Sequence, residues 1–86
     1  MKKLVSAKAN DDLTLDLQFN DGKIKRFNMK PYVDFPVFQE LKNIDYFKNI
    51  KIAFGTVQWK NEQDISPEIL YLESEEIRQE ESVLAV

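Results

Sequence analysis

The sequence predicts an α+β fold: a small antiparallel sheet in βββ-α-ββ order with one short helix packed on one face. Three observations carry that expectation. Residues 13–19 (LTLDLQF) alternate apolar and polar without a break, which is the period of a half-buried strand. Asp21-Gly22 follows at once and separates that run from another strand-like run. This is a hairpin signal, because Gly adopts the positive φ of a tight turn without strain. Downstream, a stretch bracketed by proline leads into a second pair of alternating runs. Antiparallel strands with a segregated helix belong to the α+β class.

Taken in order, residues 3–9 read as a first strand and Asn10-Asp11-Asp12 as the turn after it. Leu13, Leu15, Leu17 and Phe19 share one face of the second strand, and Thr14, Asp16 and Gln18 share the other. Residues 23–29 are the return strand. Ile24 and Phe27 differ in parity there, and a bulge near Lys25-Arg26 would reconcile them. Pro31 and Pro36 bracket the next connection, and Asp34 is placed to cap a helix with Pro36 in its first turn. Val37, Phe38 and Leu41, with Ile44, recur at helical spacing, so a helix is expected over 36–43. Residues 43–49 break that register and suit a short helical turn. Residues 50–54 and 56–59 form the last strand pair, turned at Gly55.

The chain is 86 residues long, which bounds it to one domain. Its composition, 43% hydrophobic with six Phe, three Tyr and one Trp, suffices for a core. It contains no Cys and no His. Disulfides, thiolate metal sites and Ser-His or Cys-His nucleophilic catalysis are thereby excluded within this chain. No enzyme activity and no cofactor are expected. The N-terminal residues have two early lysines but no apolar stretch of signal-peptide length. No run approaches the roughly 20 apolar residues of a membrane span. A cytoplasmic protein is the expectation.

The net charge of −3 is unevenly placed. Residues 73–81 (ESEEIRQEE) hold five Glu and one Arg, which leaves residues 1–72 near neutral. The expected organisation is therefore a single α+β domain over 1–72 and an acidic C-terminal tail over 73–86, flexible or docked on a partner. A near-neutral body with an acidic tail lacks the footprint of a nucleic-acid binder.

Several pieces together resemble a known family. They are Leu15-x-Leu17-x-Phe19-x-Asp21-Gly22, Phe27-Asn28-Met29, Phe38-x-x-Leu41 with Phe47, Thr56-Val57-x-Trp59, and Asp64-Ile65-Ser66-Pro67-Glu68-x-Leu70-Tyr71. As an ordered set covering about residues 3–72, they resemble the small bacterial proteins of domain-of-unknown-function family 2442. The resemblance implies a small antiparallel α+β fold with no established catalytic residues. It also implies an antitoxin-like role, since members are often encoded beside a second small protein. Some longer members carry a helix-turn-helix domain. None is expected after residue 72 here, so their DNA-binding role is not carried over.

Four candidate sites come from the residues themselves. In WKNEQDISPEILY (59–71), Glu62, Asp64 and Glu68 could converge on a cation, but their spacing matches no metal loop. The plainer reading is a closing turn. Trp59 lies in the core, Asp64 or Ser66 caps a helical turn begun by Pro67, and Leu70 and Tyr71 pack back on the body. Lys23, Lys25 and Arg26 beside Phe27 could meet single-stranded nucleic acid, but a solvated sheet face or a charge-guarded edge strand is the plainer reading. Tyr32, Phe35, Phe38, Tyr46, Phe47, Phe54 and Trp59 are mostly core, and any surplus on the sheet's open face would form a partner or dimer surface.

The tail is the fourth candidate. It is a frayed terminus, a segment that docks on a partner, or a degradation signal ending in Val83-Leu84-Ala85-Val86. The candidate partner-binding residues are Glu73, Glu75, Glu76, Ile77, Glu80, Glu81 and Leu84. The expected function is a non-enzymatic protein–protein interaction module, antitoxin-like, neutralising a co-encoded small protein. The alternative is a homo-oligomeric structural domain without such a partner.

Overall fold

The computed structural model describes residues 1–82 and residue 84. The α+β class is borne out. Strands β1 (Leu4–Ala9), β2 (Thr14–Phe19) and β3 (Ile24–Asn28) form an antiparallel meander. A 3₁₀ helix (Pro36–Lys42) and helix α1 (Ile44–Lys48) follow, then the hairpin β4 (Lys51–Ala53) and β5 (Thr56–Gln58). Helix α2 (Pro67–Glu73), strand β6 (Glu75–Glu76) and a 3₁₀ turn (Gln79–Glu81) complete the order. The strands form a four-stranded sheet, β1-β2-β3-β6, and a separate two-stranded ribbon, β4-β5.

Alternation in β2 does what the sequence implies. Leu15, Leu17 and Phe19 are fully buried on the core face, opposite Ala9, Ala7 and Leu4 of β1. Each such side chain contributes about 1.5–3 kcal/mol by leaving water. The β2–β3 loop places Gly22 at φ 88°. The Asp21 carboxylate accepts the Lys23 N–H at 3.0 Å and fixes the turn. This bond, with help from Lys2 and Tyr71, holds the Asp21 carboxyl well below the usual carboxylate range.

The bulge expected in β3 is absent. Pairing of β2 with β3 is continuous from Thr14↔Asn28 to Gln18↔Ile24. The register shift lies instead in β1, between Leu4 and Ser6. The parity conflict of Ile24 and Phe27 is real: Ile24 faces away from the main core and is buried there. The face away from the main core is therefore covered at Ile24 and Asp16.

From Pro36 on, residues 36–42 form a 3₁₀ rather than an α-helix. Phe38 and Leu41 are three residues apart, the 3₁₀ repeat, and Ile44 and Phe47 follow in α1. Phe38, Leu41 and Phe47 are buried. Asp34 does not cap this helix; its carboxylate pairs with Lys42 at 3.1 Å. Asn43 caps α1, accepting the Asp45 and Tyr46 N–H groups.

Trp59 closes the core. It is 1% exposed, stacks on Phe47 at 5.9 Å between ring centroids, and meets Phe38 edge-on. Its indole N–H donates to the Phe47 carbonyl at 2.8 Å. Ser66 accepts the Ile69 N–H at 3.3 Å and caps α2, with Pro67 in the first turn. Ser66→Ala is expected to cost about 0.5–1 kcal/mol. On an 86-residue domain that lowers the melting temperature by roughly 2–8 °C, measurable by circular dichroism.

The β4–β5 turn has an unusual residue in it. Phe54 (φ 54°) and Gly55 (φ 76°) are both left-handed. That is the demand of a tight two-residue hairpin, which Asn-Gly usually meets. A bulky residue there costs about 1–2 kcal/mol. Gly55 is required on a second ground, since a Cβ would lie 3.1 Å from Lys3 Cγ.

Candidate partner-binding surface

The surface is built outward from one buried charge. Asp16 sits mid-β2 on the face opposite the main core and is 1% exposed. Arg26, directly across on β3, grips it with both ends of its guanidinium. Nε reaches Oδ1 at 2.7 Å and a terminal nitrogen reaches Oδ2 at 3.1 Å. The Asn10 amide adds a donor at 3.0 Å. Burial pushes the Asp16 carboxyl up, but hydrogen bonds from Arg26, Asn10 and Ser82 outweigh it and hold the group below its ordinary value. The same bond to Asp16 raises Arg26.

Arg26 has a further donor, which goes to the chain's end. It reaches the Glu81 carbonyl at 2.9 Å. Ser82 is buried beside it. At Glu81 and Ser82 the acidic segment is thus fastened through a main-chain carbonyl and a hydroxyl rather than through a carboxylate. Strand β6 adds to this, with Lys25 opposite Glu76 and Arg26 opposite Glu75. Glu has low strand propensity; the β6 backbone pairs with β3, and the Ile77 N–H donates to the Ile24 carbonyl beyond it.

Each of the candidate tail residues has a definite place. Glu73 ends α2 and accepts the Tyr32 hydroxyl, which raises the Tyr32 pKa. Glu75 and Glu76 are exposed on β6, and Glu76 stands 3.7 Å from Lys23. Ile77 is half-buried and donates its N–H to the Ile24 carbonyl at 3.0 Å. Glu80 is exposed, 3.8 Å from Arg78. Glu81 is exposed apart from its held carbonyl. Leu84 is half-buried, its N–H on the Ser82 hydroxyl at 3.0 Å. Within the apolar end 83–86, read above as a docking or degradation segment, the other three residues lie outside the described ones. An open cleft beside this segment is lined by both signs of charge, including Arg26, Lys30, Glu73 and Glu75.

The other candidates resolve differently. Glu62, Asp64 and Glu68 are all exposed. Among the described residues, no group of three or more acidic side chains is placed to hold a metal ion. Lys25 lies over the Tyr71 ring at 4.1 Å, Lys23 faces Glu76, and Arg26 serves Asp16, so each basic residue of β3 is engaged within the molecule. Of the aromatic residues, Phe38, Phe47 and Trp59 are core, and Tyr32 and Tyr46 pack against it. Phe54 is 90% exposed at its hairpin tip. Sequence reasoning pooled Phe54 with the core. The signal that could have separated it is Phe-Gly where a tight hairpin wants Asn-Gly. Among the described residues no helix is long and apolar enough to cross a membrane.

Searches against curated proteins and against solved structures each returned no match. A family comparison did match. Over residues 4–76, most of its length, the chain fits the family described as "Protein of unknown function (DUF2442)", and it belongs to that family.

Proposed function

We propose that this member of the family is a cytoplasmic, non-enzymatic protein–protein interaction module, antitoxin-like, that neutralises a small basic protein encoded beside it. One observation supports the reading above others. The carboxylates of Glu75, Glu80 and Glu81 point to solvent on a segment whose backbone is already held by β3 and Arg26. A pre-positioned acidic strip loses little conformational entropy on docking. It also steers a basic partner during approach.

The test uses charge removal, because deleting the segment would also strip Arg26 and Asp16 of contacts they need. The triple variant Glu75→Gln, Glu80→Gln, Glu81→Gln keeps those contacts. A stoichiometric companion is first identified by pull-down from the native host. The variant is then expected to associate with it about tenfold more slowly at low salt, with weaker salt dependence. Unchanged association rates would remove the acidic strip from the interface.

A further inference from the structure

A second surface lies at the end of the sheet where Leu4 pairs with Phe19. The β4–β5 tip is fastened there, since the Leu4 N–H donates to the Gly55 carbonyl at 2.9 Å. Helix α2 reaches the same end: Tyr71 meets the Phe19 ring edge-on at 4.9 Å. The Thr56 hydroxyl, donating to the Ile65 carbonyl at 2.5 Å, ties the hairpin to the segment that enters α2.

Both elements expose apolar side chains. Phe54 stands out from the hairpin, and Ile69 and Leu72 stand out from α2. Ile69 and Leu72 are three residues apart and share a helix face, with Leu72 78% exposed. Their charged neighbours are of opposite sign. Lys3 lies against Gly55 next to Phe54, Lys51 is on the same hairpin, and residues 46–61 hold three lysines and no acid. Glu68 and Glu73 lie one helical turn from Leu72 and Ile69 respectively. Among the described residues none of these four charges has an ionic partner within 4 Å.

We propose that this end of the molecule binds a second copy of the chain, Phe54 of each packing over Ile69 and Leu72 of the other while Lys3 and Lys51 meet Glu68 and Glu73. The complement of each half is carried by the same molecule, so one two-fold axis satisfies both halves twice and closes the assembly. A bulky residue held in a left-handed turn at full exposure fits an anchor selected for contact rather than for the free fold. The apolar patch is small beside the ~800 Å² per partner of standard interfaces. The dimer is therefore weak and weakens further with salt.

Sedimentation equilibrium on the full chain, from low micromolar to about 1 mM at low and high salt, measures it. The wild type is expected to approach twice its monomer mass at low salt. Phe54→Asn supplies the preferred Asn-Gly turn, so it should raise the melting temperature while weakening self-association at least tenfold. Leu72→Ser should weaken it similarly without loss of fold. Lys51→Glu should weaken it, and adding Glu68→Lys should restore it. A wild type that stays monomeric throughout overturns the proposal, as does a Phe54→Asn protein that dimerises as tightly as wild type. Flotation of monomeric protein with phosphatidylglycerol vesicles, lost in Phe54→Asn, would also overturn it and assign the tip to a lipid surface.

Discussion

Trp59→Ala should remove a large share of the domain's stability. The side chain is almost wholly buried between Phe47 and Phe38. Truncating a packed aromatic of this kind costs about 3–5 kcal/mol, as lost transfer energy plus the cavity that remains. An 86-residue domain has only about 4–13 kcal/mol in total. Urea unfolding followed by near-ultraviolet circular dichroism would read the loss. Trp59→Phe separates the two roles of the indole. It keeps most of the apolar area but leaves the Phe47 carbonyl without its donor, and the expected loss is about 1–3 kcal/mol. If Trp59→Phe proved as costly as Trp59→Ala, the hydrogen bond rather than the packing would dominate.

The next largest effect belongs to Arg26. Arg26→Ala strands a buried carboxylate and frees the Glu81 carbonyl. Breaking a buried pair costs about 3–5 kcal/mol. The low end applies, roughly 3 kcal/mol, because water screens an arginine side chain still 36% exposed. Lysine should not rescue it, since a point charge cannot bridge both carboxylate oxygens. The loss is pH-dependent with a definite sign. In the wild type the Asp16 pKa lies below its unfolded value. Its contribution is complete above about pH 4 and declines as the pH falls through the folded value. Without Arg26, burial dominates and raises that pKa, so the variant loses stability as the carboxyl ionises. The gap between wild type and variant should grow from pH 3 to pH 6, and a constant gap in urea titrations would refute the assignment.

How much of this was legible depended on where the physics is local. The strict alternation in β2 and the Asp21-Gly22 turn involve neighbours in sequence, and both were readable. Residues 36–43 were readable as helical but not as 3₁₀, because Phe38 and Leu41, three residues apart, fit either kind of helix. Strand β6 was not readable. Nothing in Glu75-Glu76 prefers a strand, and its pairing partner is the β3 backbone some fifty residues earlier. Asp16 looked like an ordinary solvent-face residue for the same reason. The acidic segment was picked out by composition. Its attachment through the Glu81 carbonyl has no compositional signature.

That attachment makes the fold a check on its own synthesis. The donor is on β3 and its last acceptor lies 55 residues later. A chain stopped early, or trimmed past Ser82 by a carboxypeptidase, would keep every element through α2 and still carry a buried acid with fewer partners. Incomplete copies would open more often than finished ones and be cleared sooner by proteases that act on opened chains.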